Sequence, residues 1–345
     1  MTILYTSRMD HQPSFEQIIG GTQEDQDALR IKAAKATERG IEEKYEQYIV
    51  ERTSSEDAAI KSAVSYTSEV ARQYGSTKQV DEKRIFLLKS GAIQEVSKND
   101  MRKGFHDPFN QIIAVDRYES IAVLAVRVAH ELFHMHSYHS AQIFQDTNSA
   151  IYRSGIGMLG REQEWAYFSF AEEAIIATLS KRFFDEVICH DPLYEEDIRY
   201  TGLIKDWIIN NIKEAELPED KMSSRMSFIQ EILIFPNGKS VFEVLIDQEK
   251  KFAIKLGYFS DRYEKELKQG NIMRERRKER EAFSIVLDRI IYQSKGAITN
   301  KEILFDAFAR AHFTGNYIPL ARLIDGALGK GSFRAIATEL GEKYD

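Results

Sequence analysis

The sequence has little that would tie the chain to a membrane, to nucleic acid or to an oxidising compartment. It contains one cysteine, Cys189, so no intramolecular disulfide can form, and a reducing compartment is favoured. No apolar run reaches the roughly 20 residues that a membrane-spanning helix needs. The net charge of -7 provides no general attraction to nucleic acid or to anionic membrane surfaces.

The first residues, Met1 to Arg8, also lack the pattern of a signal peptide, a charged region followed by an apolar run. Together with the single cysteine, this pattern predicts a cytoplasmic protein, although an exported form that had been trimmed would have the same sequence. One strongly basic segment, 274–281, alternates arginine and lysine with glutamate. Such alternation is typical of a solvated helix face, so we expect neither a nucleic-acid partner nor a membrane span.

Hydrophobic periodicity divides the chain into three regions. Residues 1–80 are polar and predicted to be helical, with the best helical stretches at 28–52 and 56–74. Residues 81–190 combine predicted strands with two helices that carry metal-ligand residue types. Residues 191–345 are predicted to be mainly helical. The oligomeric state is not fixed by any of these patterns.

The segment His130-Glu131-Leu132-Phe133-His134 is the most informative motif in the chain. On a helix, residues four apart lie one turn apart on the same face, so both imidazoles can reach one metal ion. Glu131 follows the first histidine and can reach a water at that metal. This spacing predicts a zinc site with a general base beside it.

The residues before the motif favour a buried helix. Residues 120–129 contain no glycine or proline, are densely apolar, and begin with Ser120, which is a good N-cap. Burying unpaired polar side chains is costly, so a buried helix with two histidines and a glutamate requires partners for them. A metal ion would provide those partners.

Zinc in a catalytic site takes three protein ligands and keeps one position open. His136 and His139 follow the motif closely, but helical spacing points them away from its metal face, and both are expected at a solvated helix end. A third histidine at the metzincin spacing is excluded, because Ser137 and Ser140 stand where that pattern requires glycine and histidine.

A second helical pattern begins near Glu172-Glu173-Ala174-Ile175. With this segment the chain resembles the gluzincins, the thermolysin-like zinc peptidases, in which a glutamate on a second helix completes the metal site. The resemblance implies one Zn²⁺ per chain held by His130, His134 and Glu173. Glu173 matches the family's glutamate–small–hydrophobic pattern better than Glu172, which remains the alternative, with His139 and His106 next.

The resemblance also implies the fold. We expect the α+β class, with a zincin-like core made of a small sheet, the His130 helix and the glutamate helix, between helical N- and C-terminal regions. Predicted strands at 84–88 and 110–116 would belong to the sheet, the second as its edge above the cleft, after a turn at 104–108. The glycines within 151–158 predict a hairpin or an irregular loop near the cleft.

The resemblance implies a zinc-dependent peptidase acting on a peptide or protein substrate, with Glu131 as the catalytic general base. A helical module that recognises a single partner protein would make it a regulatory protease. The alternative is a catalytically silent zincin scaffold that serves as an interaction module, although the intact Glu131 favours the enzyme.

Two features of the family pattern are missing or open. Many relatives have an acidic residue four places after the glutamate ligand, where this chain has Ala177, so another group must orient a ligand histidine. An oxyanion donor is also required. The sequence does not rank the candidates, which are Tyr138, His139, Tyr152, Arg153 and Tyr167.

Overall fold

The computed structural model describes residues 15–97, 103–118, 120–144, 149–160, 165–198 and 277–343. The predicted α+β class is confirmed. The helices of these residues are α1 (Gln23–Arg39), α2 (Glu43–Glu46), α3 (Ser54–Gln73), α4 (Ala92–Ser97), α5 (Ile121–His136), α6 (Ser169–Phe183), α7 (Arg277–Gln293), α8 (Lys301–Thr314), α9 (Ile318–Leu328) and α10 (Ser332–Glu339). The strands are β1 (Gln17–Ile19), β2 (Ile85–Leu88), β3 (Gly104–Asp107), β4 (Ile112–Asp116), β5 (His139–Ile143), β6 (Ser149–Ser154), β7 (Gly157–Leu159), β8 (Trp165–Tyr167) and β9 (Glu342–Lys343).

A three-stranded sheet lies against α5 in the order β2-β4-β3, with β2 parallel and β3 antiparallel to β4. Both strands predicted from the sequence are present here. The prediction that residues 110–116 form the edge was wrong, because β4 is the central strand and all five of its residues are buried. A continuous apolar run such as Ile112-Ile113-Ala114-Val115 suits a strand covered on both faces. The edge beside α5 is β3, in the segment predicted as a turn.

The second sheet has six strands in the order β1-β5-β6-β7-β8-β9. Its only parallel pair within the described residues is β1 with β5, and the rest are antiparallel. Strands β6 and β7 form the hairpin predicted for residues 151–158, with Gly155 at a φ of 53° in its turn. This hairpin brings Ser154 and Gly157 next to α6.

Helix α5 crosses the middle of the molecule. Its N-terminus is capped by Ser120, whose Oγ accepts a hydrogen bond from the Val123 amide at 3.1 Å. One face packs against α3 through Ala59, Ile60 and Ala63, all fully buried, and the small alanines allow the two helices to approach closely. The opposite side meets α6. His130 and His134 of α5 therefore lie between packed elements.

Helix α6 starts immediately after Phe168, which has a left-handed backbone with a φ of 57°. This conformation is unfavourable for a bulky residue and requires support from its surroundings. The support comes from aromatic packing, since the Phe168 ring contacts Phe308 of α8 and Phe333 of α10. In this way the C-terminal helices set where α6 begins, and hence where Glu172 and Glu173 lie.

Of the region predicted to be helical, residues 1–80, residues 1–14 lie outside the described residues, and residues 15–80 are mostly helical apart from β1. The single helix predicted over residues 28–52 is not observed. The chain leaves α1 at Gly40, which has a φ of 80°, and forms only the short α2 beyond it. The helix predicted over residues 56–74 is confirmed as α3. Among the described residues, no helix is both long and apolar enough to cross a bilayer. Residues 274–276 of the basic segment lie outside the described residues, and α7 begins at Arg277.

Candidate metal centre

His130 and His134 lie on the same face of α5, one turn apart. Their ring centroids are 5.1 Å apart and the ring planes are inclined by 69°. His130 is 4% exposed as a residue, and its Nδ1 is buried without a hydrogen-bond partner among the described residues. A buried imidazole with an unsatisfied nitrogen is costly unless something else compensates for it.

Glu173 reaches both histidines from α6. Its Oε2 lies 3.5 Å from His130 Nε2, and its Oε1 lies 3.5 Å from His134 Nε2. Within the described part of the chain, these three residues are the only group whose ligand atoms converge in this way, all within 4.8 Å of one another. The structure therefore brings together the three residues that the resemblance implied.

The separations between the donor atoms fit a metal ion better than a set of hydrogen bonds. An N–H···O hydrogen bond is normally about 2.7–3.2 Å long. Bonds of about 2.0–2.1 Å to a tetrahedral zinc ion place neighbouring donor atoms about 3.3–3.4 Å apart. The two 3.5 Å separations lie close to this tetrahedral edge. Two imidazoles and a carboxylate are also a donor set that zinc accepts.

The charges around His134 indicate a site that stabilises positive charge. Burial lowers the pKa of His134, but Glu173, Glu172 and Glu131 more than offset it and raise the pKa to about 9. Four other histidines behave in the opposite way, because burial and neighbouring positive groups lower their pKa values. The pKa falls to about 4 for His136 and about 3 for His312, and well below 6.5 for His106 and His139.

Glu131 lies on α5 beneath the edge strand β3. It is buried, and a β-carbon built at Gly104 of β3 would stand only 3.1 Å from its Oε1. Glycine at residue 104 thus leaves the space that the carboxylate occupies. Glu131 does not belong to the converging ligand group.

Glu172 was the alternative ligand, and it occupies a different position. Its Oε1 accepts a hydrogen bond from the Ser154 hydroxyl at 2.7 Å and lies 3.5 Å from His134 Nδ1. A β-carbon at Gly157 would come within 2.5 Å of Glu172 Oε2, so the hairpin glycine makes room for this side chain. Adjacent helical residues differ by about 100° in direction, which is why Glu173 faces both Nε2 atoms and Glu172 faces only the far nitrogen of His134.

The prediction that His136 and His139 lie at a solvated helix end was wrong, since they are 0% and 1% exposed. His136 Nε2 lies 3.3 Å from the Ser68 hydroxyl, and the backbone carbonyl of His139 accepts a hydrogen bond from the Glu16 amide just before β1. His139 Nδ1 lies 3.0 Å from Lys78 Nζ, and its ring stands 5.1 Å from that of His106. Neither His106 nor His139 joins the converging ligand group.

Several of the candidate oxyanion donors have other roles in the structure. The Tyr138 hydroxyl donates to the Gln17 side chain, and the Arg153 guanidinium donates to the carbonyl oxygens of Gly155, Gly315 and Ala311. Arg153 also stacks on the ring of Tyr317, with its guanidinium carbon 3.6 Å from the ring centroid.

His312 of α8 was missed by the sequence analysis. Its Nδ1 accepts a hydrogen bond from the Ile156 amide at 3.3 Å, so the ring proton lies on Nε2. This Nε2 is buried and has no partner in the described residues. Burial lowers the pKa of His312, and the charge of His134 lowers it further. Gly155 accommodates it, because a β-carbon there would stand 2.2 Å from His312 Nδ1. The only sequence signal was a histidine within the apolar face of a distant helix.

Comparison of the chain with known protein families, with curated proteins and with solved structures found no match.

Proposed function

We propose that this protein is a zinc-dependent peptidase with a gluzincin-type, zincin-like core. The observation that carries the proposal is the convergence of His130, His134 and Glu173, whose ligand atoms lie within 4.8 Å of one another, with each histidine Nε2 3.5 Å from one oxygen of the Glu173 carboxylate. Glu131 is held beside this group without joining it. This combination supports a catalytic zinc centre more than a structural one, because a structural zinc site usually has four protein ligands.

In the proposed hydrolysis of a peptide bond, the metal ligands, Glu131 and His312 have separate roles. His130, His134 and Glu173 would hold the ion, which supplies a water of lowered pKa and a Lewis acid for the scissile carbonyl. Glu131 takes the proton of the attacking water and passes it to the leaving amine. The candidate that we propose for the oxyanion donor is the Nε2–H of His312, because this group is buried without a partner among the described residues while its Nδ1 is fixed by the hairpin.

Strand β3 supports a peptide substrate in extended form. Among the described residues, it pairs with β4 on one side only. Its other edge can pair with an added strand through main-chain hydrogen bonds. Gly104, the first residue of β3, is next to Glu131, so a peptide on this edge would lie against the general base.

Elemental analysis after dialysis tests the metal site, with wild type and His134→Ala compared. About one zinc per chain is expected in the wild type and much less in the variant. Equal zinc content in the two proteins would contradict the assignment of the site.

Digestion of a peptide library, and of denatured protein, tests the activity. Wild type should cleave, and Glu131→Gln should retain zinc but lose cleavage, because the amide cannot take a proton from water. Normal turnover by zinc-loaded Glu131→Gln would refute the role of this residue. A wild type that binds zinc but cleaves no peptide or protein would favour the catalytically silent scaffold.

A further inference from the structure

A continuous line of polar side chains runs from the N-terminal region to His134. Its last link is Glu172, whose Oε1 lies 3.5 Å from His134 Nδ1 and accepts the Ser154 hydroxyl at 2.7 Å. Behind Ser154, the hydroxyl oxygen lies 3.5 Å from His139 Nε2. The line starts at Lys78, whose Nζ lies 3.0 Å from His139 Nδ1.

Donors and acceptors can be assigned in one direction along the whole line, up to the Glu172 carboxylate. An ammonium group has only donors, so Lys78 donates to His139 Nδ1 and the ring proton of His139 must lie on Nε2. His139 Nε2–H then donates to Ser154, and the hydroxyl proton of Ser154 is directed to the Glu172 carboxylate. Glu172 can therefore accept the Nδ1–H of His134. A neutral His134 with its proton on Nδ1 has its lone pair on Nε2, the atom that faces Glu173.

The start of the line is held by an ion pair. Lys78 Nζ lies 2.9 Å from Glu16 Oε1, and the other oxygen of Glu16 accepts the His139 amide at 2.8 Å. The Lys78 side chain is only 7% exposed. Glu16 directly precedes β1, which pairs with β5 and so fixes the backbone of His139. The chain segment before α1 is thereby connected to the metal centre.

We propose that Lys78, His139, Ser154 and Glu172 form a polar relay that fixes the tautomer and orientation of His134 for metal binding. Two of its links are hydrogen bonds of 3.0 and 2.7 Å, and the other two are polar contacts of 3.5 Å. These four are positioning residues. In the relay, the carboxylate that orients His134 belongs to Glu172, the residue just before the ligand Glu173. Many gluzincins have an acidic residue four places after the ligand glutamate, and this chain has Ala177 there. Outer partners of this kind typically change metal affinity by about 10–100-fold. The inference deepens the proposed zinc site and rests on it.

The first experiment measures zinc affinity by competition with a chelator. Glu172→Gln should weaken binding by about 10–100-fold, and Ser154→Ala should weaken it by roughly tenfold. Ser154→Thr keeps the hydroxyl and should restore affinity to near the wild-type value. Ser68→Ala is the matched control, since it also removes a serine hydroxyl beside a buried histidine, His136, that is outside the relay. Unchanged affinity in both Glu172→Gln and Ser154→Ala would overturn the proposal.

The second experiment uses ¹⁵N NMR of the histidine rings and needs no bound metal. In metal-free wild type, His139 should be the Nε2–H tautomer, and the Nε2–H of His139 and the Nδ1–H of His134 should exchange slowly with water. Ser154→Ala should accelerate both exchanges and Ser68→Ala neither. A Nδ1–H tautomer for His139, or exchange unaffected by Ser154→Ala, would overturn the relay. A wild type that binds no zinc would refute the proposed function, while this measurement would still decide on the relay.

Discussion

Gly104 and Glu131 share one narrow space, since a β-carbon on the glycine would stand 3.1 Å from Oε1 and 3.4 Å from Cγ of the glutamate. Gly104 has no positive φ, so its role at this position is steric and not conformational. A β-carbon at residue 104 would require the Glu131 carboxylate under β3 to give way by a few tenths of an ångström. A substitution of Gly104 should therefore displace the Glu131 carboxylate without altering the carboxylate itself.

Gly104→Ala should therefore lower kcat while leaving zinc content unchanged. A displacement of the base by a fraction of an ångström to an ångström is expected to reduce turnover by about 10–100-fold. The measurement is steady-state hydrolysis of a cleaved peptide together with elemental analysis. Gly326→Ala is the matched control, because a β-carbon there meets nothing within 4 Å and the residue lies in α9. Full activity of Gly104→Ala would show that Glu131 is not constrained by β3.

His312→Asn tests the proposed oxyanion donor. Asparagine places an acceptor near the position of Nδ1, so the hydrogen bond from the Ile156 amide is kept, but it has no donor at the position of Nε2. We expect kcat to fall by about 10²–10³-fold with KM and zinc affinity little changed. A loss confined to thermal stability, with normal kcat, would show that His312 only anchors the hairpin.

The parts of the site that follow from local spacing were predictable from the sequence. His130 and His134 share a face because they are one helical turn apart, and Glu173 could be preferred to Glu172. The contributions that depend on pairing between distant segments were not predictable. The buried His139 side chain lies against Lys78 and His106, and its backbone bonds to Glu16, more than 100 residues earlier. His312 of α8 lies against the glycine of the β6-β7 turn, more than 150 residues away in the chain.

The contacts of Glu172 indicate a different role from that of an acidic residue in the first turn of α6. As a first-turn acid it would stabilise α6 by only about 0.3–1 kcal/mol. Its position between Ser154 and His134 Nδ1 predicts a larger effect on the metal. Glu173→Ala should lose zinc binding almost entirely, whereas Glu172→Ala should retain it with about 10–100-fold lower affinity. Chelator competition measures both variants. If Glu172→Ala loses the metal and Glu173→Ala keeps it, the ligand assignment must be reversed.

The raised pKa of His134 predicts how the metal-free protein depends on pH. Its folded-state pKa of about 9 lies above the value of about 6.5 for an unfolded histidine. Protonation of His134 therefore stabilises the metal-free fold fully below about pH 6.5, and this contribution is lost as the pH rises to about 9. The loss should be on the order of 3 kcal/mol in the free energy of unfolding.

Zinc takes the place of the proton on His134, so zinc affinity should rise up to about tenfold per pH unit over the same pH range. Urea unfolding of the metal-free protein at several pH values measures the first effect and chelator competition the second. His134→Gln, which cannot bind the proton, should remove the pH dependence of stability that belongs to this site. If metal-free wild type and His134→Gln lose stability equally between pH 6.5 and 9, the carboxylates around His134 do not create a site that stabilises positive charge.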